Sequence, residues 1–157
     1  GKKLWDKWQL KIPLFGDLFT KIYVSRFSTN MNTLLNGGIP IVSSLKITSS
    51  VVGNSVFSAI ILDAIKEIKG GGQMSAVLVK HKEFPDIAAQ MVRIGEKSGK
   101  LSSVLETLAR FYKKEVDVVV DNLSTLIEPA IIVVLGIGVG IFVVSILMPI
   151  YNITGSF

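Results

Sequence analysis

The stretch from Glu128 to Ile150 reads EPAIIVVLGIGVGIFVVSILMPI, and its reading decides the fold. From Pro129 to Phe157 no residue is charged, although the chain carries 17 Lys and Arg and 12 Asp and Glu. Between Ala130 and Met148, fourteen of nineteen positions are Val, Ile, Leu, Phe or Met. At about −0.3 to −0.6 kcal/mol for each such residue, insertion into a bilayer gains roughly 4 to 8 kcal/mol before the glycines are counted against it. An uninterrupted apolar run of this length reads as a membrane-spanning helix. The alternative, a core helix of a large soluble domain, fails on size. A chain of 157 residues has too little material to cover such a helix on every side. A transmembrane helix is therefore predicted over residues 125–150, followed by a short tail, 151–157.

Everything before the span has the composition of a soluble domain, since all the charge lies at or before Glu128. There is no cysteine, which excludes disulfides, thiolate metal sites and a cysteine nucleophile. The chain begins at Gly1 without a signal-peptide pattern, so a piece of a longer protein is expected. Arg110, Lys113 and Lys114 precede the span and no base follows it, which places the domain in the cytoplasm and the C-terminus outside. The net charge of +5 also raises nucleic acid. The bases are scattered, however, with no stripe interleaved with aromatics. An anionic leaflet beside the domain accounts for the same surplus. Membrane lipid is the expected partner and nucleic acid is not.

Outward from the span, the pattern is helical throughout. Residues 1–16 form an amphipathic lead-in, with Leu4, Trp5, Trp8 and Ile12 at helical spacing among Lys2, Lys3, Lys7 and Lys11. Two places suit it, the membrane–water interface or a surface of the domain itself. Ile12 to Gly16 is expected to break that helix. Residues 17–124 are read as a helical-bundle domain. Its first helix is predicted from Asp17, as N-cap, to Asn36, ended by Gly37 and Gly38. Pro40 sets the start of a helix over 41–52. Asn54 caps the next, which Gly70, Gly71 and Gly72 end. A short helix over 74–79 and a helix capped by Asp86 follow, the latter closed by a turn from Gly95 to Gly99. The final helix starts near residues 100–103, where Ser103 and Glu106 have capping-box spacing. Its apolar positions, Leu101, Leu105, Leu108, Tyr112, Val116, Val119, Leu123 and Leu126, advance in steps of three and four up to the span. Glu128 with Pro129 is expected to mark a hinge where the anchor restarts. The fold class is all-α, an antiparallel six-helix bundle whose last helix runs into a single C-terminal transmembrane helix.

Catalysis needs titratable groups that converge. The one histidine, His81, lies among Lys80, Lys82 and Glu83 in a predicted loop, where a solvated role is expected. The densest acidic group is Glu115, Asp117 and Asp121. It offers too few oxygens for a calcium or magnesium ion, which wants six or more. The triple glycine lacks the preceding strand and the Gly-Lys-Ser/Thr of a phosphate loop. No catalytic residue, metal or cofactor is expected. Gly136 and Gly140 stand at GxxxG spacing. They suit close packing against a partner helix, although glycine is common in membrane helices in any case.

Several stretches together resemble a known family. These are FSTNMNTLLNGGIP (27–40) followed by Leu45, and MVRIGEKSGKL (91–101). Ile127, Glu128 and Pro129 open the span in the same way, and Met148, Pro149 and Ile150 close it. In this order they resemble the type II secretion system F domain, with Met31 where leucine is more usual. LKIPLFG (10–16) is similar to that family's lead-in to its second cytoplasmic domain. Carried onto this chain, the resemblance makes Phe27, Leu34, Leu35, Gly38, Pro40, Gly95, Glu96, Ser98, Gly99, Leu101, Glu128, Pro129 and Pro149 structural residues of the family motif. Glu96 is expected to cap or pair locally with Arg93, Lys97 or Lys100. Full-length members carry two such six-helix domains and three spans, so the resemblance implies the second copy with the terminal span. It further implies a non-enzymatic inner-membrane platform protein, in a bacterial or archaeal-type cell, that forms homo-oligomers. Its implied partners are a cytoplasmic assembly ATPase, pilin or pseudopilin subunits and other inner-membrane components of the machine. Without the resemblance, the residues alone also suit a membrane-tethered signalling or adaptor module, or a single-span subunit of an enzyme.

Overall fold

A computed structural model describes residues 1–11 and 13–155. Among them lie seven helices and no strand, as the periodicity requires: α1 (Lys2–Lys11), α2 (Pro13–Asn36), α3 (Ile41–Val51), α4 (Ser55–Lys69), α5 (Met74–Leu78), α6 (Asp86–Ser98) and α7 (Leu101–Thr154). The chain divides into two compact units, Gly1–Asp117 and Val118–Phe157.

The first unit is built around one core. Val24, Phe27 and Met31 of α2 meet Leu45 of α3, Phe57, Ile60 and Ile61 of α4, and Met74 and Leu78 of α5, all fully buried. Phe84, Ala88 and Val92 close it from α6 and the loop before it, and Leu105, Leu108 and Tyr112 from the start of α7. Phe27 and Phe84 meet edge to face at 5.6 Å, and Tyr23 tilts against Phe57 at 5.3 Å. Such pairs add about 0.5–1.5 kcal/mol to what burial alone supplies. The stripe of α7 is half-buried at Leu101 and buried from Leu105 through Tyr112. Beyond it Val116 and Val119 are half-buried.

Several helix ends differ from their expected places. Helix α2 takes in Pro13 to Gly16, so Asp17 lies inside it and not at its start. Ile12, within the expected break, lies outside the described residues. Gly16 is buried inside α2, and Asp17 pairs with Lys21 one turn on at 2.8 Å instead of capping. Pro85, not Asp86, is the N-cap of α6 and makes no side-chain cap. Gly95 to Ser98 continue α6, and only Gly99 turns left-handed, at φ 69°. The capping box does not form. Ser103 lies inside α7, and Glu106 instead pairs with Arg110 at 3.0 Å. Other ends stand where expected. The Asn54 side chain accepts from the N–H of Val56 and Phe57 at the start of α4, and Gly38 (φ 81°) ends the turn after α2.

In the second unit α7 runs through Pro129 without interruption, and through Pro149 as far as Thr154. The expected hinge at Glu128 and Pro129 is thus not a break in the helix. One proline removes a single rung at a cost of about 3 kcal/mol, and the turns on either side outweigh it. The helix segment Leu101–Ile153 contains an 18-residue window of mean hydropathy 3.0, none of it buried. Residues 130–148 rise about 28 Å at 1.5 Å each, close to the ~30 Å of a bilayer's hydrocarbon.

Candidate functional site

The two longest motif stretches meet in space. Ser102, directly after Leu101, places its Oγ 3.3 Å from Asn32 Oδ1 and 2.5 Å from Asn36 Oδ1. The two asparagines, one turn apart on α2, are themselves linked at 3.1 Å. The α2–α3 turn thereby lies beside the α6–α7 turn. At the first, the carbonyls of Leu35 and Leu34 accept from Gly38 and Ile39 at 3.1 Å each, and the Pro40 carbonyl accepts from Ser44 at 2.9 Å. The first two bonds satisfy carbonyls that the end of α2 leaves open, and the third is the first bond of α3. Sequence reasoning missed Asn32, Asn36 and Ser102. Their signal is faint: a polar pair at i, i+4 next to a helix end.

At the second turn each motif residue has a separate task. Glu96 reaches across to α5, where Oε2 accepts from the N–H of Met74 at 2.9 Å and Oε1 from Ser75 at 3.0 Å. It acts as the N-terminal cap that Gln73 does not supply, since the Gln73 side chain makes no cap bond. This corrects the expectation of a local partner among Arg93, Lys97 or Lys100. Gly95 is buried against the start of α7. A Cβ there would lie 3.0 Å from Val104 Cγ2 and 3.1 Å from Leu101 Cα. Gly99 needs its positive φ, and a Cβ there would meet nothing within 4 Å. Ser98 donates weakly to the Gly95 carbonyl at 3.4 Å.

Gly95, Glu96, Gly99 and Leu101, with Ile41, Ile68, Gly72 and Gln73, line a shallow surface cleft of about 320 Å³. Both Glu96 oxygens accept backbone bonds from the start of α5, which ties this wall of the cleft to that helix. His81 stands elsewhere, with Nε2 3.8 Å from Asp63. Among the described residues no three His, Asp or Glu side chains gather as a metal site. Phe27 belongs to the core rather than the cleft, and Glu128, Pro129 and Pro149 belong to the second unit. There a Cβ added at Gly136 or Gly140 would meet nothing within 4 Å, so the small-residue strip lies open.

Residues 27–149 match the family model described as "Type II secretion system (T2SS), protein F". The chain belongs to the type II secretion system protein F family. It is similar to the type IV pilus assembly protein PilC of Thermus thermophilus, 38% identical over 99% of this chain and 39% of the relative. The PilC of Myxococcus xanthus is 34% identical over 99% of this chain and 37% of the relative. The type II secretion system protein F of Xanthomonas campestris is 30% identical over 96% of this chain and 37% of the relative. The chain thus spans under two fifths of the length of these relatives. The match to the F family begins at Phe27 and ends at Pro149, so it takes in both motif turns and the apolar part of α7.

Proposed function

We propose that this chain is part of a non-enzymatic inner-membrane platform that couples a cytoplasmic assembly ATPase to the extraction and polymerisation of pilin or pseudopilin subunits. The match to the protein F family from 27 to 149, with relatives named for pilus assembly and for type II secretion, carries the reading. Residues 17–124 form the cytoplasmic domain, the second of two copies in the full-length protein, and residues 125–150 cross the membrane once. Motif residues at the turns are structural: they fix one helix against the next, so that a push from a motor is transmitted instead of absorbed. Gly136 and Gly140 give the span a flat face for a neighbouring helix, in another copy or another component. Such contacts average only about 0.6 kcal/mol, so assembly would draw on several.

In-cell photo-crosslinking from Ile94, which is exposed on α6, tests this reading. Capture of an assembly ATPase is the expected result, together with loss of filament growth or secretion when the gene is deleted. Intact assembly and secretion after deletion, or capture only of proteins unrelated to either, would overturn it.

A further inference from the structure

Helix α1 is docked on the first unit by one side only. Asp6 Oδ2 accepts from the N–H of Ser55 at 2.9 Å, at the N-terminus of α4, and Leu10 packs against the core. At about 100° per residue, Leu4, Trp5 and Trp8 fall within one arc of roughly 100°, with Asp6 and Leu10 on the other side of the helix. Leu4, Trp5 and Trp8 are each 67% exposed, although large apolar side chains on so short a helix normally find cover. Lys2 and Lys7 are exposed on either flank of this arc, about 60° from it, whereas Lys3 falls beside Leu10 on the docked side. The helix's one carboxylate, Asp6, is turned to Ser55, so the open side carries cations and no anion.

We propose that this face of α1 seats on an anionic lipid surface, with Leu4, Trp5 and Trp8 at the headgroup level and the flanking Lys2 and Lys7 on the phosphates. Three observations select lipid over a protein partner. Tryptophan and lysine together suit the membrane–water interface, where an amphipathic ring and a cation on a flexible stem are both favoured. The charge is complementary to an anionic leaflet, towards which each lysine contributes about a fivefold gain in affinity. The chain also carries its own candidate span, which would tether it to a bilayer whatever machine it serves. Because Asp6 and Leu10 hold the opposite side, α1 would fix the first unit to the surface as a strut rather than as a loose tail. The inference needs the span alone and stands without the platform reading.

The protein provides its own probe, because Trp5 and Trp8 are its only tryptophans. The whole chain is reconstituted into vesicles of phosphatidylethanolamine and phosphatidylglycerol, with a spin label either near the headgroup or deep in the acyl chains. Seating predicts blue-shifted emission, strong quenching by the shallow label, weaker quenching by the deep one, and protection from acrylamide. The Lys2→Glu, Lys7→Glu variant should lose most of the shallow quenching, as should the unchanged protein in phosphatidylcholine. Emission that stays red-shifted and open to acrylamide in anionic vesicles would overturn the proposal. So would a blue shift without lipid quenching, which would mean that a second copy or another protein covers the face. Shallow quenching that survives both charge reversal and neutral lipid would overturn the anionic part.

Discussion

The carboxylate of Glu96, near the end of α6, accepts the backbone N–H of Met74 at 2.9 Å, and its second oxygen accepts that of Ser75 at 3.0 Å. One side chain thereby ties α6 to the start of α5 across more than twenty residues of sequence. A five-residue helix has little cooperativity of its own and depends on such a cap. Glu96→Ala should cost about 1–2 kcal/mol, and Glu96→Gln somewhat less, because the amide keeps one acceptor but turns a donor towards a donor. Thermal unfolding of the whole chain in detergent would read this as a fall in Tm of about 2–4 °C per kcal/mol. An unchanged Tm for Glu96→Ala would show that α5 holds without its cap.

Gly95 and Gly99 belong to one motif, yet they are glycines for different reasons, and substitution separates them. At Gly95 the space is taken by Val104 and the α7 backbone, so Gly95→Ala should cost about 1–3 kcal/mol by overpacking. At Gly99 the space is free and only the backbone is constrained. Gly99→Val should cost about 1–2 kcal/mol, whereas Gly99→Asn should be nearly neutral, since asparagine tolerates the left-handed region. Chemical denaturation of the three variants checks the order. Equal losses for Gly99→Val and Gly99→Asn would contradict the backbone explanation.

Lys21 links α2 to α7, with Nζ 2.8 Å from Asp17 and 3.4 Å from Glu115. The bond to Asp17 holds its ammonium above the ordinary 10.5, against the opposing effect of burial, with Glu115 adding to the rise. A raised lysine stabilises the fold fully below 10.5, and that contribution is lost as the pH climbs through the folded value. Asp17 is 67% exposed, so solvent screens the pair and the whole effect stays within about 1 kcal/mol. Lys21→Met should therefore lower stability near neutral pH and make little difference in strong alkali. A stability gap that widens with rising pH would contradict this.

Helix existence was legible wherever the cause is local. Asn54 caps the N–H groups two and three residues on, Gly38 turns directly after its helix, and the steps of Leu101, Leu105, Leu108 and Tyr112 mark the buried side of α7. The long apolar helix was legible because an uncharged apolar run needs no partner to be recognised. The cross-links were not. Glu96 to Met74, Asp6 to Ser55, Ser102 to Asn36, and Arg26 Nη1 to the Val52 carbonyl at 3.3 Å each join residues more than twenty positions apart. Their partners are mostly backbone groups or small polar side chains, which leave no periodic trace. The same ambiguity misassigned two caps. Asp17 and Ser103 both suit a cap, but each lies inside a helix, although α7 itself begins at Leu101 within its expected range, and an acid inside a helix then pairs one turn away.

The direction of the span is the last expectation to test. Lys113 and Lys114 stand before the uncharged stretch and no basic residue follows it, and basic residues near a span are retained on the cytoplasmic side. Because the chain has no cysteine, Ser156→Cys introduces a single thiol beyond the span. In intact cells stripped of their outer membrane, a membrane-impermeant maleimide should label that thiol from outside. A cysteine at Lys113, ahead of the span, should react only after the membrane is opened. Moving the charge should move the topology: Lys113→Gln and Lys114→Gln, combined with three lysines added after Phe157, should give a mixed population. Labelling of Ser156→Cys only from the cytoplasmic side would reverse the orientation, and would also put the first unit out of reach of any cytoplasmic motor.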